Sequence, residues 1–151
     1  MTEGTHFDFS TGLGFTDWRN TDPEEVYLYN MRAEAKFPMD ILDHVSLIES
    51  ADFHNCKFGK LPKDIGKFKD LKKLDLSYNF LATFPKSVED MTQLEYLDLR
   101  MNRFTAIPTT LKRIPQLKVL DLRYNQIDGI FQAPETPEEL AEALKDCEIR
   151  L

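Results

Sequence analysis

The sequence predicts an α/β solenoid: a concave parallel β-sheet, an irregular convex side and a capping helix at the C-terminal end. Three observations carry that expectation. Apolar residues recur in units of 23 residues. Within each unit a short stretch alternates with period two, as a strand with one buried face must. A helix-start pattern, Thr136-Pro137-Glu138-Glu139, follows the last unit.

Taken along the chain, residues 1–22 form an N-terminal arm or cap. They carry four aromatics, Phe7, Phe9, Phe15 and Trp18, among Gly4, Gly12 and Gly14. These side chains either pack on the first unit or serve as an extended docking arm. Residues 23–47 read as a degenerate unit, with Val26, Leu28 and Met31 followed by Phe37-Pro38 and Ile41. The regular register begins at 48–70 with Ile48, Ala51, Phe53, Cys56, Phe58 and Leu61-Pro62. It recurs in 71–93 as Leu71, Leu74, Leu76, Asn79, Leu81 and Phe84-Pro85, and in 94–116 as Leu94, Leu97, Leu99, Asn102, Phe104 and Ile107-Pro108. Unit 117–131 closes the series with Leu117, Leu120, Leu122, Asn125, Ile127 and Ile130. No unit can bury its apolar face alone, so the units must stack and both ends need caps. The segment 132–151 supplies the second cap: an N-cap threonine, a proline at the first helical position, and Leu140, Ala141, Leu144 and Cys147 at helical spacing predict a helix over 137–147.

These recurring positions resemble the leucine-rich repeat family, and the resemblance covers roughly residues 23–131. The 23-residue unit with Leu-Pro or its equivalent after the strand is similar to that of intracellular Ras-pathway scaffolds and Ras suppressor proteins. The resemblance implies a ladder of Asn79, Asn102 and Asn125 side chains on neighbouring backbone, with Cys56 as a small buried thiol in the same role. It also implies a protein-binding module.

Composition narrows the function classes. The chain has 151 residues and a net charge of −7, which argues against a nucleic-acid binder as a whole. The charge is uneven: residues 51–73 hold seven lysines and three acids. The aromatics among those lysines, Phe58 and Phe68, fall on the apolar register of the repeat and not on a base-stacking face, so the lysines read as a solvated face. Two cysteines are too few for a disulfide framework, no secretory leader is legible at Met1–His6, and no apolar run is long enough for a membrane span. The expected location is cytoplasmic. Serine-hydrolase, zinc-protease, phosphate-loop and Cys-x-x-Cys signatures are missing, and Gly12-Leu13-Gly14 lacks the third glycine of a dinucleotide loop. The chain is therefore expected to be no enzyme, with no cofactor, no metal and no small-molecule substrate.

Outward positions of the strands point to the working surface. Asp52, Asp75, Asp98 and Asp121 form a column facing the concave side, and mutual repulsion is expected to raise some of their pKa values. Arg100 and Arg123 follow two residues after Asp98 and Asp121, on the same face. Tyrosine and arginine dominate binding hot spots, so the candidate partner-binding set is Tyr78, Tyr96, Asp98, Arg100, Met101, Asp121, Arg123 and Tyr124. The partner is expected to be another protein. The alternative is an adaptor or regulatory subunit that docks through the N-terminal arm or through the terminal Ile149-Arg150-Leu151, which is similar to a hydrophobic C-terminal ligand. A nucleic-acid-associated protein using the lysines is the further alternative.

Overall fold

The computed structural model describes the backbone of two N-terminal strands, residues 42 and 45, and residues 48–127 and 138–151. Phe9, Phe15, Trp18, Thr136 and Pro137 lie outside the described residues, as do the side chains of Phe7, Tyr27 and Tyr29.

Seven strands pair in chain order into one parallel sheet among the described residues: β1 (Thr5–Asp8), β2 (Glu25–Tyr29), β3 (Ser50–Asp52), β4 (Lys73–Asp75), β5 (Tyr96–Asp98), β6 (Val119–Asp121) and β7 (Glu148–Arg150). The 23-residue period sets the register. Ala51, Leu74, Leu97 and Leu120 align across β3 to β6, and so do Asp52, Asp75, Asp98 and Asp121. The first set points inward and is buried; Phe53, Leu76, Leu99 and Leu122 add a second buried row just past the strands. Phe53 meets the edges of Phe58 and Phe68 at ring-centroid distances of 6.2 and 6.1 Å, an arrangement that favours aromatic pairs.

The asparagines perform the stitching that the resemblance implies. Asn102 Oδ1 accepts the Leu81 N–H, while its Nδ2 donates to the carbonyls of Leu76 and Leu99. Asn79 does the same for Phe58, Phe53 and Leu76, and Asn125 for Phe104, Leu99 and Leu122. Each amide thus satisfies a backbone N–H in the preceding unit, which burial would otherwise leave without a partner. Cys56, at the corresponding place one unit earlier, is buried, and its Sγ donates to the His54 carbonyl at 3.6 Å.

On the convex side the chain returns through 3-10 helices at Ile65–Lys67, Lys86–Asp90 and Thr109–Arg113. Pro85 and Pro108 stand at the N-caps of the second and third. Their fixed φ suits that position, and their missing N–H takes no bond from the turn. Gly66 lets the first helix press against the second: a Cβ there would lie 2.2 Å from the Ser87 carbonyl oxygen.

The C-terminal cap differs from the expected helix over 137–147. Helix α1 spans Glu138–Ala143, packs on the third 3-10 helix and pairs Glu139 with Lys112 at 2.9 Å. The chain then turns and re-enters the sheet as β7, with Ile149 aligned to Leu120. The reason lies in the open edge of β6. Its backbone groups need partners, and the Leu122 N–H donates to Arg150 O at 2.7 Å while the Glu148 N–H donates to Lys118 O at 2.8 Å. The tail expected as a free docking end is thus paired along β6, with the Arg150 and Leu151 side chains left partly exposed.

Candidate functional site

The aspartate column is first a structural device. Each Oδ1 accepts the backbone N–H two residues on: Asp52 from His54, Asp75 from Ser77, Asp98 from Arg100 and Asp121 from Arg123, at 2.9, 2.8, 3.0 and 3.2 Å. These bonds hold the chain where it leaves each strand, as Asx turns do.

What covers each aspartate depends on the residue two positions later. Arg100 and Arg123 fold back over Asp98 and Asp121, with Nη2 to Oδ2 distances of 2.6 and 2.7 Å. Those carboxylates are 0% and 1% exposed, so a partner meets the guanidinium groups and not the acids. Ser77 and His54 are too short to do the same, and Asp75 and Asp52 stay half-buried. The electrostatics follow. Burial pushes the Asp75 carboxyl up, against the hydrogen bonds from Ser77, and the charges of Asp98 and Asp52 add least. Burial also acts on Asp121, but the hydrogen bonds and charge of Arg123, with the charge of Arg100, outweigh it and hold the carboxyl below its ordinary value. Repulsion along the column is therefore a minor effect beside burial and arginine pairing. Arg100 is raised by the Asp98 hydrogen bond, and burial together with the Asp98 charge raises the Tyr96 phenol.

In the aligned column the next rung after Asp121 is Arg150 of β7. Its Nη1 lies 3.9 Å from Asp121 Oδ2, and its Nε donates to Glu148 at 2.8 Å. Arg100 and Arg123 thus stand side by side two positions past the aspartate rung, Arg150 stands on that rung itself, and all three guanidinium groups gather around the nearly buried Asp121.

At the other end of the face, Ser77 Oγ donates to Asp75 Oδ1 at 2.6 Å, and His54 Nδ1 lies 2.8 Å from the same Oγ. A carboxylate only accepts, so the serine proton points to Asp75 and the histidine proton sits on Nδ1. His54 also tilts against Tyr78, ring centroids 4.9 Å apart.

Beyond the strands the backbone takes left-handed conformations at the same place in each unit: φ is 54° at Asn55, 56° at Tyr78, 53° at Met101 and 61° at Tyr124. That conformation disfavours residues with a side chain. Here cross-unit bonds pin three of the four, with the N–H groups of Asn55, Tyr78 and Met101 donating to the carbonyls of Ser77, Arg100 and Arg123. The turn throws the side chains outward: Tyr78 is 47%, Met101 41% and Tyr124 73% exposed. Phe80 is exposed as well, two residues past Tyr78, with the Arg103 guanidinium 4.6 Å above its ring.

Of the residues singled out in the sequence, Tyr78, Met101 and Tyr124 form an outward rim and Arg100 and Arg123 the row beside it. Tyr96 is half-buried, and Asp98 and Asp121 lie beneath the arginines, which makes them positioning residues with almost no surface of their own. Sequence reasoning missed Phe80, the His54–Ser77–Asp75 chain and Arg150. Phe80 and Arg103 stand one period apart, which was a usable signal. The lysines of 51–73 include Lys63, Lys67 and Lys69, which edge a shallow convex depression of about 150 Å³ together with Asp64, Gly66, Ser87 and Asp90. Among the described residues no group of three or more His, Cys, Asp or Glu could hold a metal ion, and no helix is long and apolar enough to cross a membrane.

Comparison with known proteins agrees with this geometry. The family described as leucine rich repeat matches residues 52–104, and that described as leucine rich repeats (2 copies) matches residues 92–133. Among solved structures the chain is similar to a leucine-rich repeat protein of Leptospira interrogans, with 25% identity and a TM-score of 0.66 over 82% of this chain and 31% of that one. It is also similar in fold to an internalin of Listeria monocytogenes, with 18% identity and a TM-score of 0.63 over 82% of this chain and 33% of that one. The chain thus spans about a third of the length of either structure. No curated protein matches it. With two matches that together run from residue 52 to residue 133, and a sheet built on the same repeat, the chain is a protein of leucine-rich repeats folded as a leucine-rich repeat solenoid.

Proposed function

We propose that this chain is a non-catalytic protein-interaction module whose partner seats on the C-terminal half of the concave face and on the rim where the strands end. The observation that carries the reading is the placement of exposed apolar side chains. Among the described residues the large exposed ones are Tyr78, Phe80, Met101, Tyr124 and Leu151, and the first four all stand at strand exits. Large exposed apolar side chains gathered on one rim, beside arginine, have the composition of a binding hot spot. Members of this fold family generally bind other proteins. The repeat length supports, within the same proposal, a unit of the kind seen in Ras-pathway scaffolds. Cys56 and Cys147, neither of them in a disulfide among the described residues, support a reducing, cytoplasmic setting. In this reading residues 1–22 and 132–151 close the ends of the repeats at 23–131.

The test is affinity capture followed by mass spectrometry, comparing the unaltered chain with a Tyr78→Ala, Met101→Ala, Tyr124→Ala variant and with a variant lacking residues 1–22. The rim residues are suitable because their side chains leave the core untouched. A Tyr96→Ala, Arg100→Glu pair is not, since it would set a second carboxylate over the buried Asp98. Loss of the same proteins in the rim variant, with circular dichroism unchanged, is the expected result. Capture that survives the rim variant and disappears with residues 1–22 overturns the reading in favour of docking through the arm.

A further inference from the structure

We infer that the occupant of this face is an acidic amphipathic helix of another protein, laid across the strands with its carboxylates on Arg100, Arg123 and Arg150 and its apolar side on Tyr78, Met101 and Tyr124. The inference rests on the protein-binding reading above and adds the chemistry of the partner.

Charge points to acid. The chain as a whole carries −7, yet this part of the concave face presents guanidinium groups to solvent, because Asp98 and Asp121 are nearly inaccessible beneath them. The three arginine side chains are 36%, 42% and 38% exposed. Arg100 and Arg123 spend Nε and Nη2 on their aspartates, and Nη1 of each takes no hydrogen bond among the described residues. The buried acids therefore fix the forks with a remaining edge outward, ready for a carboxylate. An acidic ligand is drawn to this strip, which orients its approach.

Geometry points to a helix. Neighbouring strands lie about 4.8 Å apart, so Arg100 and Arg123, at the same position of successive units, leave the sheet at about that spacing. Side chains three or four apart on a helix are separated by about 5–6 Å, whereas same-side residues of an extended strand are about 6.8 Å apart. The rim runs parallel to the arginine row, since Met101 follows Arg100 and Tyr124 follows Arg123. A helix with glutamates at i and i+4 facing Arg100 and Arg123, a further glutamate at i+7 turned toward the Asp121 rung where Arg150 stands, and an adjacent apolar stripe meets both the arginines and the rim.

The experiment uses two stapled sixteen-residue helical peptides with the same leucine stripe, one with glutamates at the facing positions and one with glutamines. Fluorescence anisotropy follows their binding to the full chain. The expected result is at least tenfold tighter binding of the glutamate helix, an advantage that shrinks as salt is raised and falls to less than threefold in an Arg150→Gln, Arg123→Gln variant. The single Arg150→Gln variant serves if loss of Arg123 unsettles Asp121, and it should lower the advantage by at least twofold. Equal binding of both helices, binding by neither, or a glutamate preference removed by Lys63→Gln and Lys67→Gln instead overturns the inference. Equal binding that still depends on Tyr124 leaves the rim as a protein-binding surface and removes only the acidic partner; failure of the rim variant to lose captured proteins removes the parent reading.

Discussion

Replacing Asn102 by alanine tests whether the amide ladder holds the repeats together. Asn102 is 6% exposed and its side chain makes four hydrogen bonds to backbone. The groups left behind are not equal. Leu76 O keeps the Asn79 amide, Leu99 O keeps the Asn125 amide, and Arg100 O keeps the Tyr78 N–H. Leu81 N–H alone loses its only partner, in a unit where Leu81 itself is fully buried. An orphaned buried donor costs about 1–3 kcal/mol, and lost but replaceable bonds cost less each. The expected destabilisation is about 3 kcal/mol, read as a shift of the urea midpoint at unchanged slope. Amide hydrogen exchange adds a local readout: the Leu81 N–H should lose protection far more than that of Phe58, which keeps Asn79. A loss below about 1 kcal/mol, or a Leu81 amide as protected as before, would refute the idea that the ladder binds unit to unit.

Other expectations follow from the same geometry. Because burial raises the Asp75 carboxyl in the folded chain, its charge works against folding at neutral pH. Asp75→Asn keeps the acceptor for Ser77, so it should stabilise at pH 7, with the gain vanishing by pH 3, where the carboxyl is protonated in both states; urea midpoints at the two pH values decide it. Gly66→Ala should cost at least about 1–3 kcal/mol in the same assay, since the new methyl meets backbone and not a mobile side chain. Tyr124→Asn should raise stability by about 0.5–1 kcal/mol, because asparagine tolerates the left-handed region, while lowering partner capture. Failure of either half of that pairing would separate backbone strain from binding at the rim.

The repeat made most of the sheet legible. Once Leu74, Leu97 and Leu120 are seen one period apart, strand order, register and the asparagine ladder follow. Strand β7 was not legible, because Ile149 stands 29 residues after its aligned Leu120 and brings no asparagine, so the period is broken where the cap begins. The short helix before it ends early because the edge of β6 competes for the same residues. At the candidate site, the outward direction of Tyr78, Met101 and Tyr124 could be read. The burial of Asp98 and Asp121 could not be read from alternation alone, which treats all four aspartates alike. It depends on whether the residue two positions later is long enough to fold back, as Arg100 and Arg123 are and Ser77 is not. The contact between His54 and Ser77 joins residues 23 positions apart and needs the sheet itself to bring them together.

The N-terminal margin of the sheet carries one more regularity. Lys72 pairs with Glu49 at 2.7 Å and Lys118 with Glu95 at 2.8 Å, while Lys72 also lowers the Glu95 carboxyl after the larger effects of Lys118 and burial. Sign therefore alternates from unit to unit at a single position: acid, base, acid, base. Individually such exposed pairs contribute little, but the alternation gives the solenoid a hidden grammar. Excising one unit, 71–93, would bring Glu49 beside Glu95, whereas excising two, 71–116, would return Glu49 to a lysine, Lys118. By hydrophobic register every unit is interchangeable with the next; by charge the chain is written in couplets, and the smallest piece that can be duplicated or removed without an electrical mismatch is a pair.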